Sequence, residues 1–236
     1  MKNLIYLFML VMLPGILFSQ VTASEHYRKA LDHSKAGDPV KALEEVNQCL
    51  LLKADFDSAL FLRANLECAK GEFRAAIKDL DKVVKLNRSY FDAWYYRGWA
   101  RAQIQDYPGS IKDLSRAIEL NGSYAKAWYN RALAKAFLEE YADAISDLNK
   151  AIELNPAYIQ AWYSRGYWKD LSGDYNGAII DYQKVVELDP KNREVFIAMA
   201  TAKYLKGDHQ GACTDINTAI DLGSSLAQEL KDKFCK

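Results

Sequence analysis

Beyond an N-terminal apolar stretch, the chain alternates between amphipathic runs of helical period and short turns rich in Gly, Asp, Asn and Pro. The alternation is itself periodic. Residues 91–124, 125–158 and 159–192 align without insertion at a period of 34 residues. The register extends back through 57–90 and 23–56 and forward to 193–226, so six units tile residues 23–226 and the segment 227–236 remains. Each unit predicts two helices of about 14 residues, roughly 21 Å each. The turn inside the unit carries Gly37-Asp38, Gly71-Glu72, Gly173-Asp174 and Gly207-Asp208. Glycine there permits the left-handed backbone that closes a helix. Between units, Asn155-Pro156 and Asp189-Pro190 stop one helix before the next begins. The expectation is an all-α chain.

Numbering positions within the unit exposes its constraints. Position 8 holds Ala30, Ala64, Gly98, Ala132, Gly166 and Ala200, and position 20 holds Ala42, Ala76, Ser110, Ala144, Ala178 and Ala212. Two helices approach closely only where neither side chain intrudes, so these rows predict the crossing point of each hairpin. Position 30 is Leu in every unit, and position 4 is Trp94, Trp128 and Trp162 in three of them. Recurrence at one position favours a core role for the Trp rings over ligand contact.

Small residues, Trp, Tyr and Pro at this spacing resemble the tetratricopeptide repeat (TPR) family over residues 23–226. The first unit departs from it with His26 and Ala54, the sixth with Phe196 and Ser224, and end units of a solenoid are expected to be atypical. Pro108 and Ser110 predict a less regular start to the second helix of the third unit. The resemblance implies a right-handed superhelical solenoid. Its expected last element is a capping helix over 227–236, with Leu226, Leu230 and Phe234 four apart on one face.

Two charged rows accompany the apolar ones. Arg63, Arg97, Arg131 and Arg165 occupy position 7, with Lys29 in the first unit. Glu45, Asp79, Asp113, Asp147, Asp181 and Asp215 occupy position 23. Equal rows of opposite sign predict pairing across helices, with a role in setting the register between neighbours, rather than an anion track.

The family resemblance also implies that the first helix of each unit lines the concave wall, through positions 2, 5, 6, 9, 12 and 13. Those positions place Tyr95, Tyr96, Trp99, Tyr129, Tyr163 and Tyr167 there, with Asn130, Asp92, Lys126, Gln160 and Asp170 between them. An aromatic stripe with scattered polar groups suits recognition of a peptide or helix. The alternative is that some of these tyrosines pack between neighbouring helices. The family's carboxylate-gripping mode needs Lys and Asn at positions 5 and 9, where this chain has aromatics, so capture of a chaperone C-terminus is disfavoured.

Composition narrows function further. Thirty-one Lys and Arg balance thirty-one Asp and Glu, which opposes nucleic-acid binding, including the RNA-binding mode of helical repeats of similar period. Residues 1–19 combine an early Lys, an apolar run from Leu4 to Phe18 and the small Ser19, with a second small-residue site at Ala23. That is the pattern of a secretory signal peptide and predicts an exported, periplasmic or secreted protein. The rival reading is an uncleaved N-terminal anchor, the one membrane attachment expected. In an oxidising compartment the four cysteines predict two local disulfides, Cys213–Cys235 and Cys49–Cys68, against the alternative of buried thiols. His26, His33 and His209 form no ligand set, and no phosphate-binding loop or hydrolase motif occurs, so no cofactor, metal, small-molecule substrate or enzymatic activity is expected. Asn87-Arg88-Ser89 and Asn121-Gly122-Ser123 match the glycosylation pattern and are read as unmodified. The function expected is a protein-interaction scaffold. The alternative is a structural subunit of a cell-envelope assembly without a separable ligand.

Overall fold

The computed structural model describes residues 21–235, so the predicted signal peptide lies outside the described residues. Thirteen helices and no strand occur among them. The six units supply α1 (Ala23–Lys35) with α2 (Pro39–Leu52), α3 (Asp57–Ala69) with α4 (Phe73–Leu86), and α5 (Phe91–Gln103) with α6 (Tyr107–Leu120). They continue with α7 (Ala125–Phe137) and α8 (Tyr141–Leu154), α9 (Ile159–Leu171) and α10 (Tyr175–Leu188), and α11 (Arg193–Lys206) and α12 (His209–Asp221). The last helix is α13 (Ser225–Phe234). Each helix packs chiefly on its neighbours in sequence, which makes the molecule a solenoid of hairpins.

All twelve small residues at positions 8 and 20 are buried, as the hairpin crossing requires. A methyl group added at Gly98 would stand 2.8 Å from Leu114 Cγ, and one at Gly166 would stand 2.8 Å from Tyr182 Cε1. The turn inside each hairpin is left-handed at Gly37, Gly71, Gly173 and Gly207. Gln105 and Glu139 take the same conformation at φ 64° and 63°, where L side chains are strained. Asp38, Asp106, Asp174 and Asp208 then cap the second helices by accepting backbone N–H bonds. Pro108 sits in the first turn of α6, where its missing N–H costs nothing, so the irregular start expected there does not occur.

The charged rows pair. Nε and Nη2 of Arg97 donate to both carboxylate oxygens of Asp113, at 2.7 and 2.6 Å, within one unit. Nη1 of Arg97 reaches Asp81 of the preceding unit at 2.7 Å. Arg63, Arg131 and Arg165 repeat the arrangement, with Asn47, Ser115 and Asn149 as the preceding-unit acceptors. A planar fork with five donors can hold its own hairpin and the neighbouring one together. The first unit differs: Glu45 pairs with Nδ1 of His26 at 2.6 Å rather than with Lys29. Asp215 pairs with Lys203.

The Trp rings are half-buried rather than fully enclosed. Their inner edges pack on the core, and their N–H groups donate to the carbonyls of Arg88, Gly122 and Pro156 in the preceding turn. Arg97, Arg131 and Arg165 lie over the rings at 4.7–4.8 Å. Each Trp therefore fastens one unit to the turn before it, besides filling space. The invariant Leu row is no core row either: Leu52 and Leu86 are exposed and the other four are half-buried.

Cys213 and Cys235 are joined, with their Cα atoms 4.8 Å apart. Cys213 lies near the start of α12 and Cys235 just past the end of α13, so the antiparallel pair brings them to the same end. Cys49 and Cys68 are instead separate buried thiols, contrary to the expected pairing. Cys49 lies three residues before the end of α2 and Cys68 eleven beyond the start of α3. In antiparallel helices those places differ by roughly 12 Å along the axis at 1.5 Å per residue, well beyond disulfide reach. The capping face also shifts by one position. Leu226 is exposed, and the buried side of α13 is formed by Ala227, the half-buried Leu230 and Phe234, which meets Tyr204 edge-on.

Candidate binding groove

The inner wall follows from helix spacing. The first helices of neighbouring units touch, α3 with α5, α5 with α7 and α9 with α11, whereas successive second helices make no comparable contact among the described residues. A stack closer on one side curves towards that side, so the first helices form the concave wall.

Position 5 of that wall is coupled to position 34 at the end of the same unit. Tyr27 meets Phe56, Phe61 meets Tyr90, Tyr95 meets Tyr124 and Tyr129 meets Tyr158, with ring centroids 4.9–5.0 Å apart. The position 34 aromatics recur at the same 34-residue period but were not singled out from the sequence. Their partners belong partly to the wall and partly to the joint between units.

This pairing sorts the expected groove residues. Tyr95 is a correction: it is 8% exposed, flanked by Phe91, Tyr96 and Tyr124, and its hydroxyl accepts from Asn130 at 3.1 Å. Burial pushes that hydroxyl well above the usual tyrosine range, with Tyr124 adding to the shift. It packs between helices and offers no open surface. Tyr96 lies edge-on to Phe61 and Tyr95, and Trp99 lies edge-on to Phe73. Tyr163 tilts against the fully buried Tyr182 of α10, while Tyr167 is exposed. Asp170, expected among the polar wall groups, is half-buried, and burial pushes its carboxyl upward.

Two recesses remain between these packed rings. One, of about 450 Å³, is lined by Trp99, Gln103, Tyr107, Tyr129, Asn130 and Phe137, among others from α5, α6 and α7. Its rim carries Phe137, 63% exposed, stacked on Tyr107 at 4.8 Å. The second, of about 410 Å³, is lined by Tyr129, Ile159, Gln160, Tyr163, Ser164, Asn192 and Glu194. It opens in the fifth unit, where Asn192 stands at position 34 in place of an aromatic ring. Tyr129 borders both. The structure thus brings together Trp99, Tyr129, Asn130 and Tyr163, and does not place Tyr95, Tyr96 or Tyr167 in either recess.

A further ionic row runs beside the groove at position 11. Arg101, Lys135, Lys169 and Lys203 give Asp113, Asp147, Asp181 and Asp215 a cation each, at 2.6–3.0 Å. Its period makes it legible in the sequence once position 11 is aligned. In the second unit that position is Glu67, beside Arg63 and Asp79, and one of its carboxylate oxygens is buried without a partner. Burial first, and the Asp79 charge second, push the Glu67 carboxyl up to about 7. Among the described residues no cluster of His, Cys, Asp and Glu has the makings of a metal site, and no helix is long and apolar enough to cross a membrane.

Three family models, each described as Tetratricopeptide repeat, match residues 61–136, 125–158 and 159–192. Together these matches run over residues 61–192, more than half of the chain. No curated protein matches the sequence. Among solved structures, Pseudomonas aeruginosa PilF superposes with a TM-score of 0.73 at 15% identity, covering 89% of this chain and 97% of that one. YrrB, described as a TPR protein with an unusual peptide-binding site, gives 0.70 at 22% identity, covering 81% and 100%. MamA gives 0.68 at 24% identity, covering 78% and 97%.

Proposed function

For a chain that belongs to the tetratricopeptide repeat family, with this groove, we propose a non-enzymatic scaffold that holds a peptide or helix of a partner protein against its concave wall. The observation that carries the proposal is the continuity of the two recesses through Tyr129, with Trp99, Asn130 and Tyr163 facing them. Rigid aromatic surface supplies contact area at small entropic cost, and Asn130, Gln103 and Gln160 supply hydrogen bonds for a main chain. The partner meets the protein outside the cytoplasm, following the signal-peptide pattern of residues 1–19.

The test is photo-cross-linking in the native cell through benzoylphenylalanine at position 129, with Ile180 as control because it is 63% exposed on the second helix of its unit. A protein adduct at 129 that is absent at 180, and lost in Tyr163→Ala, is expected. Adducts of equal strength at both sites would point to the envelope-assembly alternative and end the groove reading.

A further inference from the structure

On the side of the solenoid away from the groove, the joint between the second and third units differs in charge from its counterparts. At position 26 of later units a cation is neutralised by an acid one turn on: Arg116 by Glu119, Lys150 by Glu153 and Lys184 by Glu187, at 2.6–2.8 Å. In the second unit the same two positions are Lys82 and Lys85. Position 32, which is Gly122 in the third unit and Pro156 in the fourth, is Arg88. Neither Lys85 nor Arg88 enters an ion pair among the described residues. The unit 57–90 accordingly carries seven Lys and Arg against five Asp and Glu in a chain of zero net charge.

These cations surround a recess of about 560 Å³ lined by Val84, Lys85, Arg88, Trp94, Arg97 and Arg116. Its floor is apolar: Val84 is buried, and the Trp94 ring is held by its bond to the Arg88 carbonyl and by Arg97 above it. The equivalent recess one joint earlier is lined by Leu50, Leu51, Leu60, Arg63 and Lys82, with Asn47 and Ala54, so the places of Lys85 and Arg88 are taken there by the uncharged Leu51 and Ala54. Arg97 is already engaged by Asp81 and Asp113, and Arg116 by Glu119, which leaves Lys85 and Arg88 to face a ligand.

We infer that this outer recess is a second docking point, which takes an acidic segment of a partner protein carrying an apolar side chain. The apolar side chain seats on Val84 and Trp94, and its flanking carboxylates meet Lys85 and Arg88. A cavity this size holds one or two side chains. A nucleic acid would need a basic track extending along the molecule, and the later joints are neutralised by their own acids.

The experiment uses a fluorescein-labelled peptide alternating glutamate with phenylalanine, read by fluorescence polarisation against the whole chain. Expected is binding that weakens with salt and falls about tenfold or more in the Lys85→Glu, Arg88→Glu double variant. Lys150→Glu, a control at position 26 of the fourth unit, and Tyr129→Ala with Tyr163→Ala in the groove should leave it unchanged. Thermal unfolding of each variant establishes that it is folded. Equal binding by the double variant overturns the site. So does a peptide alternating glutamate with serine that binds as well, or displacement by inorganic phosphate alone, since either makes the recess a plain anion hole. Stronger binding to phosphatidylglycerol vesicles than to the peptide, lost in the same double variant, would assign it to a lipid surface and overturn the peptide reading. Loss in the groove variants alone would refute this site while leaving the proposed groove standing.

Discussion

Arg131 donates from Nε and Nη2 to the two carboxylate oxygens of Asp147, at 2.8 and 2.7 Å, across the hairpin of a single unit. Its remaining nitrogen reaches Ser115 of the unit before, and its plane covers Trp128. Asp147 is almost fully buried, so removing it strands two cations, Arg131 and Lys135, in a poorly solvated site. Asp147→Ala should cost about 3–5 kcal/mol in urea unfolding. Arg131→Lys should recover little, because an ammonium cannot span both carboxylate oxygens and the neighbouring unit. A loss below about 1 kcal/mol would mean the pair is solvated and contributes as surface pairs do.

The turns of the third and fourth units store strain that the other four avoid. Gln105 and Glu139 occupy left-handed backbone where their counterparts are Gly. Gln105→Gly and Glu139→Gly should each stabilise the protein by roughly 1 kcal/mol, seen as a rise in melting temperature. Gly173→Ala should lower it. Unchanged melting temperatures in all three would show that these turns relax without cost.

Glu67 makes stability depend on pH in the direction opposite to an ordinary paired carboxylate. Its folded pKa of about 7 lies above the ordinary glutamate value of 4.5, so the native state binds the proton more tightly. The benefit of the protonated form is fully present below about 4.5, and stability falls as pH rises from there to about 7. Glu67→Gln removes that slope. Its melting temperature should match the parent at pH 4.5 and exceed it at pH 8. Glu67→Lys, which restores the cation found at this position in later units, should gain more. Parallel curves for parent and Glu67→Gln across the range would show a solvated carboxylate.

The disulfide closes the last hairpin. Titration of unfolded, unreduced protein should find two thiols, Cys49 and Cys68, and four after reduction. Burial pushes the Cys68 thiol up to about 11, so the native protein should react slowly with thiol reagents at pH 8. Cys235→Ser should cost about 3 kcal/mol for a loop of this size and raise amide exchange in α13 first. Exchange that rises evenly along the chain would show that the cap does not open by itself.

Much of this architecture was legible because a solenoid repeats one local problem. Position 8 and position 20 must be small in every unit for the same helix crossing to form, and Asp147 and Arg131 answer a demand that Asp113 and Arg97 meet next door. Periodicity turns each such demand into a visible column. The groove was less legible. Tyr95 and Tyr129 share position 5, yet Tyr95 is enclosed by Phe91, Tyr96 and Tyr124 while Tyr129 borders two recesses. The column is the same, but the neighbours that cover it belong to other columns of the unit, which vary from one repeat to the next. Cys49 and Cys68 failed to pair for a related reason: nearness along the chain says nothing of the axial offset that antiparallel helices impose.

The amino-acid sequence alone determined the hairpin, its length, its crossing point and the sign of each ionic row, because these follow from spacing within 34 residues and recur six times. The tertiary structure decided which aromatic rings stay open and which cysteines meet. Those outcomes depend on distances between side chains of different units, set by how the hairpins stack and curve, and no local pattern encodes them.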